Sequence, residues 1–180
     1  MAAPILVVTG SSGAGKTTVS RLVAATFDPS AHIRIDAFMP FVVNGWIEPW
    51  LPESARQNHI LGGAVAAAAM QFAEGGYTVV LDGHVFPDAL TELAGACLRR
   101  GIPLHYAVLR CDLATCVTRA RQRDGVDHDP EPFAHQHARF TNLGEHEAHV
   151  VDASGAAEDV VAAVRSAFME ERLVVGSPRR

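Results

Sequence analysis

Eight consecutive residues carry the clearest chemistry in this chain. Gly10-Ser11-Ser12-Gly13-Ala14-Gly15-Lys16-Thr17 fits G-x-x-x-x-G-K-[ST] at every fixed position, and it lies between an apolar run and a helical stretch. Glycines at these places let the backbone curl so that successive N–H groups point inward. The helix that follows adds a partial positive charge at its start. The pattern assigns Gly10, Ser11, Ser12, Gly13, Ala14, Gly15, Lys16, Thr17 and Thr18 to the phosphates of a nucleotide, with the Thr17 hydroxyl placed to ligate Mg²⁺. Lys16 is the only lysine among 15 basic residues. An ammonium and a guanidinium differ in hydration and geometry, so the one retained lysine marks a specific position.

Two carboxylates follow apolar runs. Asp82 closes VVLD, where it either holds the metal or caps the turn before Gly83. Asp36 closes IRID, where it either orients and deprotonates an acceptor hydroxyl or starts a helix; sharing the metal with Asp82 is a third role. Arg119 and Arg123 lie four apart on a helix and share one edge. They are candidates to neutralise charge on a transferring phosphoryl group, against the plainer reading of a solvated face paired with Asp124, Asp127 and Asp129. Arg139 is a further candidate, and Arg110 is a candidate neighbour of the nucleotide's base or ribose. Phe38, Met39, Phe41, Trp46 and Trp50 fall within one short stretch that holds both tryptophans. That stretch reads as the wall of an acceptor pocket, or as a satellite core or dimer contact. Phe38, Trp46, Trp50 and Asn58, with Asp36 and His84, are the candidate acceptor contacts, Gln57 being a further one. The absence of arginine between Arg34 and Arg56 leans toward an uncharged acceptor.

The elements that must position these residues alternate. Strands are expected over residues 4–9, 32–36, 77–82, 103–110 and 148–152. Helices are expected over 16–27, 52–74, 88–100, 112–123, 131–140 and 156–171, with 38–51 irregular and the tail after 173 frayed. Continuous apolar strands alternating with helices imply an α/β fold of three layers around five parallel strands, with ligands beyond the strands' carboxyl ends. One domain spans 1–175, with a lid at about 121–136, an acceptor segment at about 37–60 and a tail at 176–180.

Composition bounds the rest. The 180 residues are 48% apolar and 19% charged with net charge −5, which excludes a disordered chain and lacks the basic footprint of a nucleic-acid binder. No window has the roughly 20 unbroken apolar residues of a membrane span. Cys97, Cys111 and Cys116 lack metal-ligand spacing and read as reduced thiols of a cytoplasmic protein.

On GSSGAGKTT, IRIDAF, VVLDG and LRCD…RARQRD, the chain resembles the small P-loop kinases of nucleoside-monophosphate-kinase-like fold, which include shikimate, gluconate and chloramphenicol phosphotransferases. The resemblance covers most of residues 4–168 and is nearest in layout to the chloramphenicol enzymes. It implies a P-loop NTPase fold, ATP as phosphoryl donor, Asp36 as base, Lys16 and Thr17 on phosphate and metal, and lid arginines at Arg119 and Arg123. NGWIEPWLPESARQN departs from the chloramphenicol enzymes. The expectation is an ATP- and Mg²⁺-dependent transfer of the γ-phosphate to a hydroxyl of a small, largely uncharged molecule, such as an antibiotic. The alternatives are a toxin-like kinase of nucleotides or sugar nucleotides, or an ATP-dependent switch without small acceptor. The partner is then a small-molecule acceptor, with neither nucleic acid nor membrane, and the protein a monomer or homodimer.

Overall fold

A computed structural model describes residues 2–124 and 130–176. Strand β1 (Ile5–Gly10) is buried along its whole length. The pleat sends its side chains alternately to two faces. Ile5 and Val7 join a core with Val65, Ala69 and Ala73 of α2 (Ala55–Glu74) and Leu90, Leu93 and Cys97 of α3 (Pro87–Arg99). Leu6 and Val8 join the opposite core with Val19 and Val23 of α1 (Lys16–Ala24) and Val160 and Val164 of α6 (Ala157–Met169). This explains why the strands read as continuous apolar runs: helices cover both faces.

β2 (Ser30–Arg34), β3 (Thr78–Asp82), β4 (Leu104–Arg110) and β5 (Val150–Asp152) complete an all-parallel sheet of order β2-β3-β1-β4-β5. Register aligns the carboxyl ends: Val8 pairs with Asp82, Gly10 with Leu109, Arg34 with Asp82 and Arg110 with Asp152. α4 (Leu113–Asp124) follows β4, and α5 (Pro130–Ala138) precedes β5. Among the described residues no helix is long and apolar enough to cross a membrane.

Four local expectations are corrected. β2 stops at Arg34, and Asp36 lies beyond it in the first turn of a 3-10 helix, Ile35–Phe41. The helix expected from Pro52 begins as a separate 3-10 turn, Pro52–Ser54. β5 is only three residues long, because Gly144–His149 before it forms a 3-10 helix. The segment after 173 is not frayed through 175. The short β5 leaves the first half of β4 with an open edge, and the chain closes it. Tyr106 N–H donates to Leu173 O at 2.8 Å and Val175 N–H to Leu104 O at 2.9 Å. The middle of the expected lid, with Asp127 and Asp129, and the end of the tail lie outside the described residues.

His105 on β4 is 6% exposed, and its ring lies 4.4 Å from that of Phe168. Burial, assisted by His149, lowers its pKa from 6.5 to about 4. Between those values the unfolded chain binds a proton that the folded chain refuses. Stability is therefore fully present above about pH 6.5 and falls as pH drops toward 4. The melting temperature is expected to fall between about pH 7.5 and pH 5, with a shallower fall for His105→Phe. Equal slopes in a calorimetric pH series would remove His105 as the source.

Candidate active site

The loop between β1 and α1 is shaped by what surrounds it. Gly10 has φ +140, and a Cβ there would stand 2.3 Å from Leu109 O. Gly13 has φ +81, and a Cβ there would stand 2.0 Å from Cys116 O. The loop thus rests backbone-to-backbone on β4 and on the first turn of α4, where no side chain can yield. α1 begins at Lys16 with no acidic residue in its first turn, so no side-chain carboxylate there offsets its N-terminal charge.

Lys16 Nζ donates to Ser11 O at 2.9 Å and to His84 Nε2 at 3.1 Å. Burial lowers the Lys16 pKa from 10.5 to about 8, although Asp82 and Asp36 both act to raise it. His84 is exposed as a residue, but desolvation of its ring and the neighbouring Lys16 charge lower its pKa to about 3, so a neutral imidazole accepts from the ammonium. His84, a candidate acceptor contact in the sequence, is thereby a wall of the phosphate cradle. Its segment is held from below: Val85 N–H donates to Thr9 Oγ1 at 3.0 Å, and Tyr106 OH to Val85 O at 2.8 Å.

Asp82 is 2% exposed, and its Oδ2 lies 3.6 Å from His32 Nε2. His32 was absent from the sequence candidates. It sits on β2 one strand over from Asp82, and only the sheet order brings the two together. Asp36 is exposed and ion-paired with Arg34 at 2.6 Å.

The arginines divide. Arg123 is exposed, and its charge reaches Lys16. Arg119 is half-buried, and its guanidinium donates to Ala153 O (2.7 Å), Ser154 O (3.2 Å) and Gly155 O (3.1 Å). Of the two arginines expected on one edge, Arg123 is exposed while Arg119 turns onto these carbonyls, because α4 packs through Cys116 and Ala120. Arg139 lies 3.3 Å above the Phe86 ring, and its charge reaches His84. Arg110 makes a two-pronged pair with Glu147 at 2.9 Å and donates to Phe140 O at 2.8 Å. From α5, Gln136 Oε1 accepts from the loop amide of Ser12 at 2.8 Å.

Two cavities lie outside the loop itself. One of ≈ 560 Å³ lies at the ends of β4 and β5, with Cys111, Asp112, His137 and Asp152 in its wall. The other, of ≈ 300 Å³, lies between Val42, Ile47 and Ile60, with Glu53 and Arg56 as its charges, and of the expected acceptor contacts only Gln57 lines it. Gln57 grips both N–H and C=O of Ile47. Asn58 donates to Pro49 O and Ser54 Oγ, so its amide braces this segment. Phe38 packs on Phe41 with ring centroids 5.4 Å apart. Trp46 is half-buried, and Trp50 is 77% exposed.

A family model described as an AAA domain matches residues 5–143. No curated protein matches the sequence. Among solved structures, the chain is similar to a gluconokinase from Sinorhizobium meliloti 1021, at 17% identity and TM-score 0.69, covering 94% of this chain and 93% of that one. It is similar to the Mycobacterium tuberculosis APS kinase in complex with AMPPNP and APS, at 15% identity and TM-score 0.69, covering 93% and 98%. It is also similar to the Deinococcus radiodurans tunicamycin resistance protein, at 18% identity and TM-score 0.66, covering 97% and 99%. These likenesses establish the α/β P-loop NTPase fold.

Gly13→Ala is expected to destabilise the protein by about 3 kcal/mol or more, and to weaken magnesium-nucleotide binding at least ~10-fold. Denaturant unfolding and calorimetric titration measure both. Unchanged values would mean that the loop does not rest on α4 as described.

Proposed function

The chain belongs to the AAA domain family, and from that membership we propose that it transfers the γ-phosphate of ATP to a hydroxyl of a small, largely uncharged molecule. The observation that carries this reading is the half-buried Lys16 ammonium, held by Ser11 O and His84 Nε2, with two carboxylates and two arginines bearing on the pair. The similar solved structures support it: a gluconokinase, an APS kinase holding AMPPNP, and a tunicamycin resistance protein.

The residues divide the work. The loop amides and the start of α1 receive the phosphates, and Lys16 exchanges Ser11 O and His84 for phosphate oxygens. Thr17 and Asp82 offer only oxygen donors, the set a hard divalent cation takes. Among the described residues no group of three or more His, Cys, Asp or Glu is arranged to hold a metal. That fits Mg²⁺ held through one carboxylate, phosphate and water, where it would neutralise charge on the phosphates. Asp36, oriented by Arg34, accepts the proton of the attacking hydroxyl. Arg123 and Arg139 offset charge on the moving phosphoryl group. Arg119, engaged with the carbonyls of 153–155, serves by fixing the chain beside the larger cavity.

The acceptor pocket is the ≈ 300 Å³ cavity, whose mainly apolar wall suits an uncharged molecule. Arg56 in that wall favours a second reading, a phosphate-bearing acceptor such as a nucleotide or sugar nucleotide.

ADP release measured over neutral hydroxyl compounds and over phosphorylated ones separates the two readings; turnover with neither class excludes both. With an active acceptor, Asp36→Asn is expected to lower kcat about 10²-fold or more, with nucleotide affinity retained. Normal phosphorylation by that variant would remove Asp36 as the base.

A further inference from the structure

Cys111 and Cys116 stand where β4 passes into α4, and the proposed reaction uses neither. Their Sγ atoms are 2.9 Å apart. Cys116 Sγ is also 3.4 Å from Ser11 Oγ in the phosphate loop. Cys116 is fully buried, whereas Cys111, 5% exposed, forms part of the wall of the ≈ 560 Å³ cavity. Of the two cysteines, Cys111 is therefore the one that borders the space through which a small oxidant would come.

The pair is chemically unlike the remaining thiol. The hydrogen bond between the two sulfurs favours a thiolate at Cys116 and holds its pKa below the ordinary value against the opposing effect of burial. The same contact pushes Cys111 above it. Cys97 lies in the opposite core, where burial pushes its thiol up to about 11. A thiolate next to a second sulfur is the arrangement in which an oxidised sulfur is trapped as a disulfide.

We infer that Cys111 and Cys116 form a reversible disulfide in response to a peroxide, and that this bond releases the grip of the phosphate loop on nucleotide. The Cys116 thiolate takes the Cys111 thiol proton across the 2.9 Å contact as the Cys111 sulfur attacks one peroxide oxygen, and the O–O bond breaks. The departing hydroxide takes that proton from Cys116 and leaves as water, Cys111 becomes a sulfenic acid, and Cys116 is a thiolate again. The Cys116 thiolate attacks that sulfur, the S–S bond forms, and the S–O bond breaks. The second hydroxide is protonated from solvent, which earlier received the Cys116 proton. Two thiols are oxidised, and one peroxide is reduced to two waters.

The consequence for the loop follows from contact. A disulfide is much shorter than the approach of two thiols, so it draws the first turn of α4 toward the end of β4. Gly13 has no space to absorb that movement, since a Cβ there would be 2.0 Å from Cys116 O and 2.6 Å from its carbonyl carbon. Oxidation also strips Cys116 of the charge that the Ser11 hydroxyl faces.

The test uses the whole protein with hydrogen peroxide, in the presence and absence of magnesium AMPPNP. Remaining thiols are alkylated and peptides are read by mass spectrometry. Nucleotide affinity is measured by calorimetry before oxidation, after it, and after dithiothreitol. The expected result is a Cys111–Cys116 disulfide with Cys97 still reduced, slower to form when nucleotide is present. AMPPNP affinity should fall about tenfold or more and return on reduction. Cys111→Ser and Cys116→Ser, each compared with its own untreated form, should show no peroxide-dependent change. Oxidation of Cys97 at an equal rate, a sulfinic acid at Cys111 without a disulfide, or a disulfide that leaves affinity unchanged would overturn the inference. None of these readouts requires phosphotransfer, so they stand apart from the proposed reaction. Hydrogen exchange over 10–17, faster in the oxidised protein and unchanged if the inference is wrong, reads the loop directly even if AMPPNP does not bind.

Discussion

Drawing an ammonium partly out of water is the constraint from which the site is built. A cation withdrawn from water costs several kcal/mol unless charges and acceptors replace its hydration. Lys16 has a carbonyl and a neutral imidazole in direct contact, with Asp82 and Asp36 acting at longer range. Burial still outweighs them, since its pKa falls to about 8. The lysine is therefore better suited to a polyanion than to its own surroundings. Each supporting element secures one part of that condition. β1 delivers the loop, the end of β3 delivers a carboxylate that is 2% exposed, and Thr9 and Tyr106 fix the segment carrying His84.

What the sequence displayed and what it concealed divide by distance along the chain. The phosphate loop was legible because its glycines act on their own backbone angles, within eight adjacent residues. Asp82 was legible because an apolar run ending in a carboxylate is a local pattern. The partner of Lys16 was not, since His84 stands 68 residues away. Nor was the bond from Ser12 to Gln136, which spans 124 residues. Arg119 shows the limit of helical periodicity. Spacing put it on one edge with Arg123, but how α4 rolls against the sheet is set by Cys116 and Ala120, and that roll turns Arg119 onto the carbonyls of 153–155. The end of β2 was misplaced by two residues for a similar reason. IRID has the composition of a strand end, yet pairing with β3 reaches only Arg34.

α5 and the residues after it are wired to the phosphate loop and to the end of β4. Gln136 holds the Ser12 amide, His137 donates to Cys111 O at 2.8 Å, and Arg110 donates to Phe140 O. Arg139 lies on Phe86, whose ring stacks on Phe140 with centroids 4.9 Å apart. These contacts join α5 and the residues after it to the phosphate loop, to the end of β4 and to the exit from β3. Movement of α5 must therefore break hydrogen bonds at the loop itself, and a ligand that reorders Ser12 changes what α5 can hold.

The division between one lysine and fourteen arginines fits this geometry. Arg119 needs several donors in a fixed fork to meet three carbonyls, Arg110 needs two parallel donors for Glu147, and Arg139 needs a flat face for Phe86. A guanidinium does all three, and an ammonium does none of them well. The cradle asks for the opposite properties. Its space is bounded by a backbone carbonyl, an imidazole and the curl of the loop, and its cation must change partners when phosphate arrives. A compact charge on a flexible stem can do that, whereas a planar fork of five donors would leave some of them unmatched in so small a volume. Lys16 is thus retained at the one described position where the cation must be small and must move.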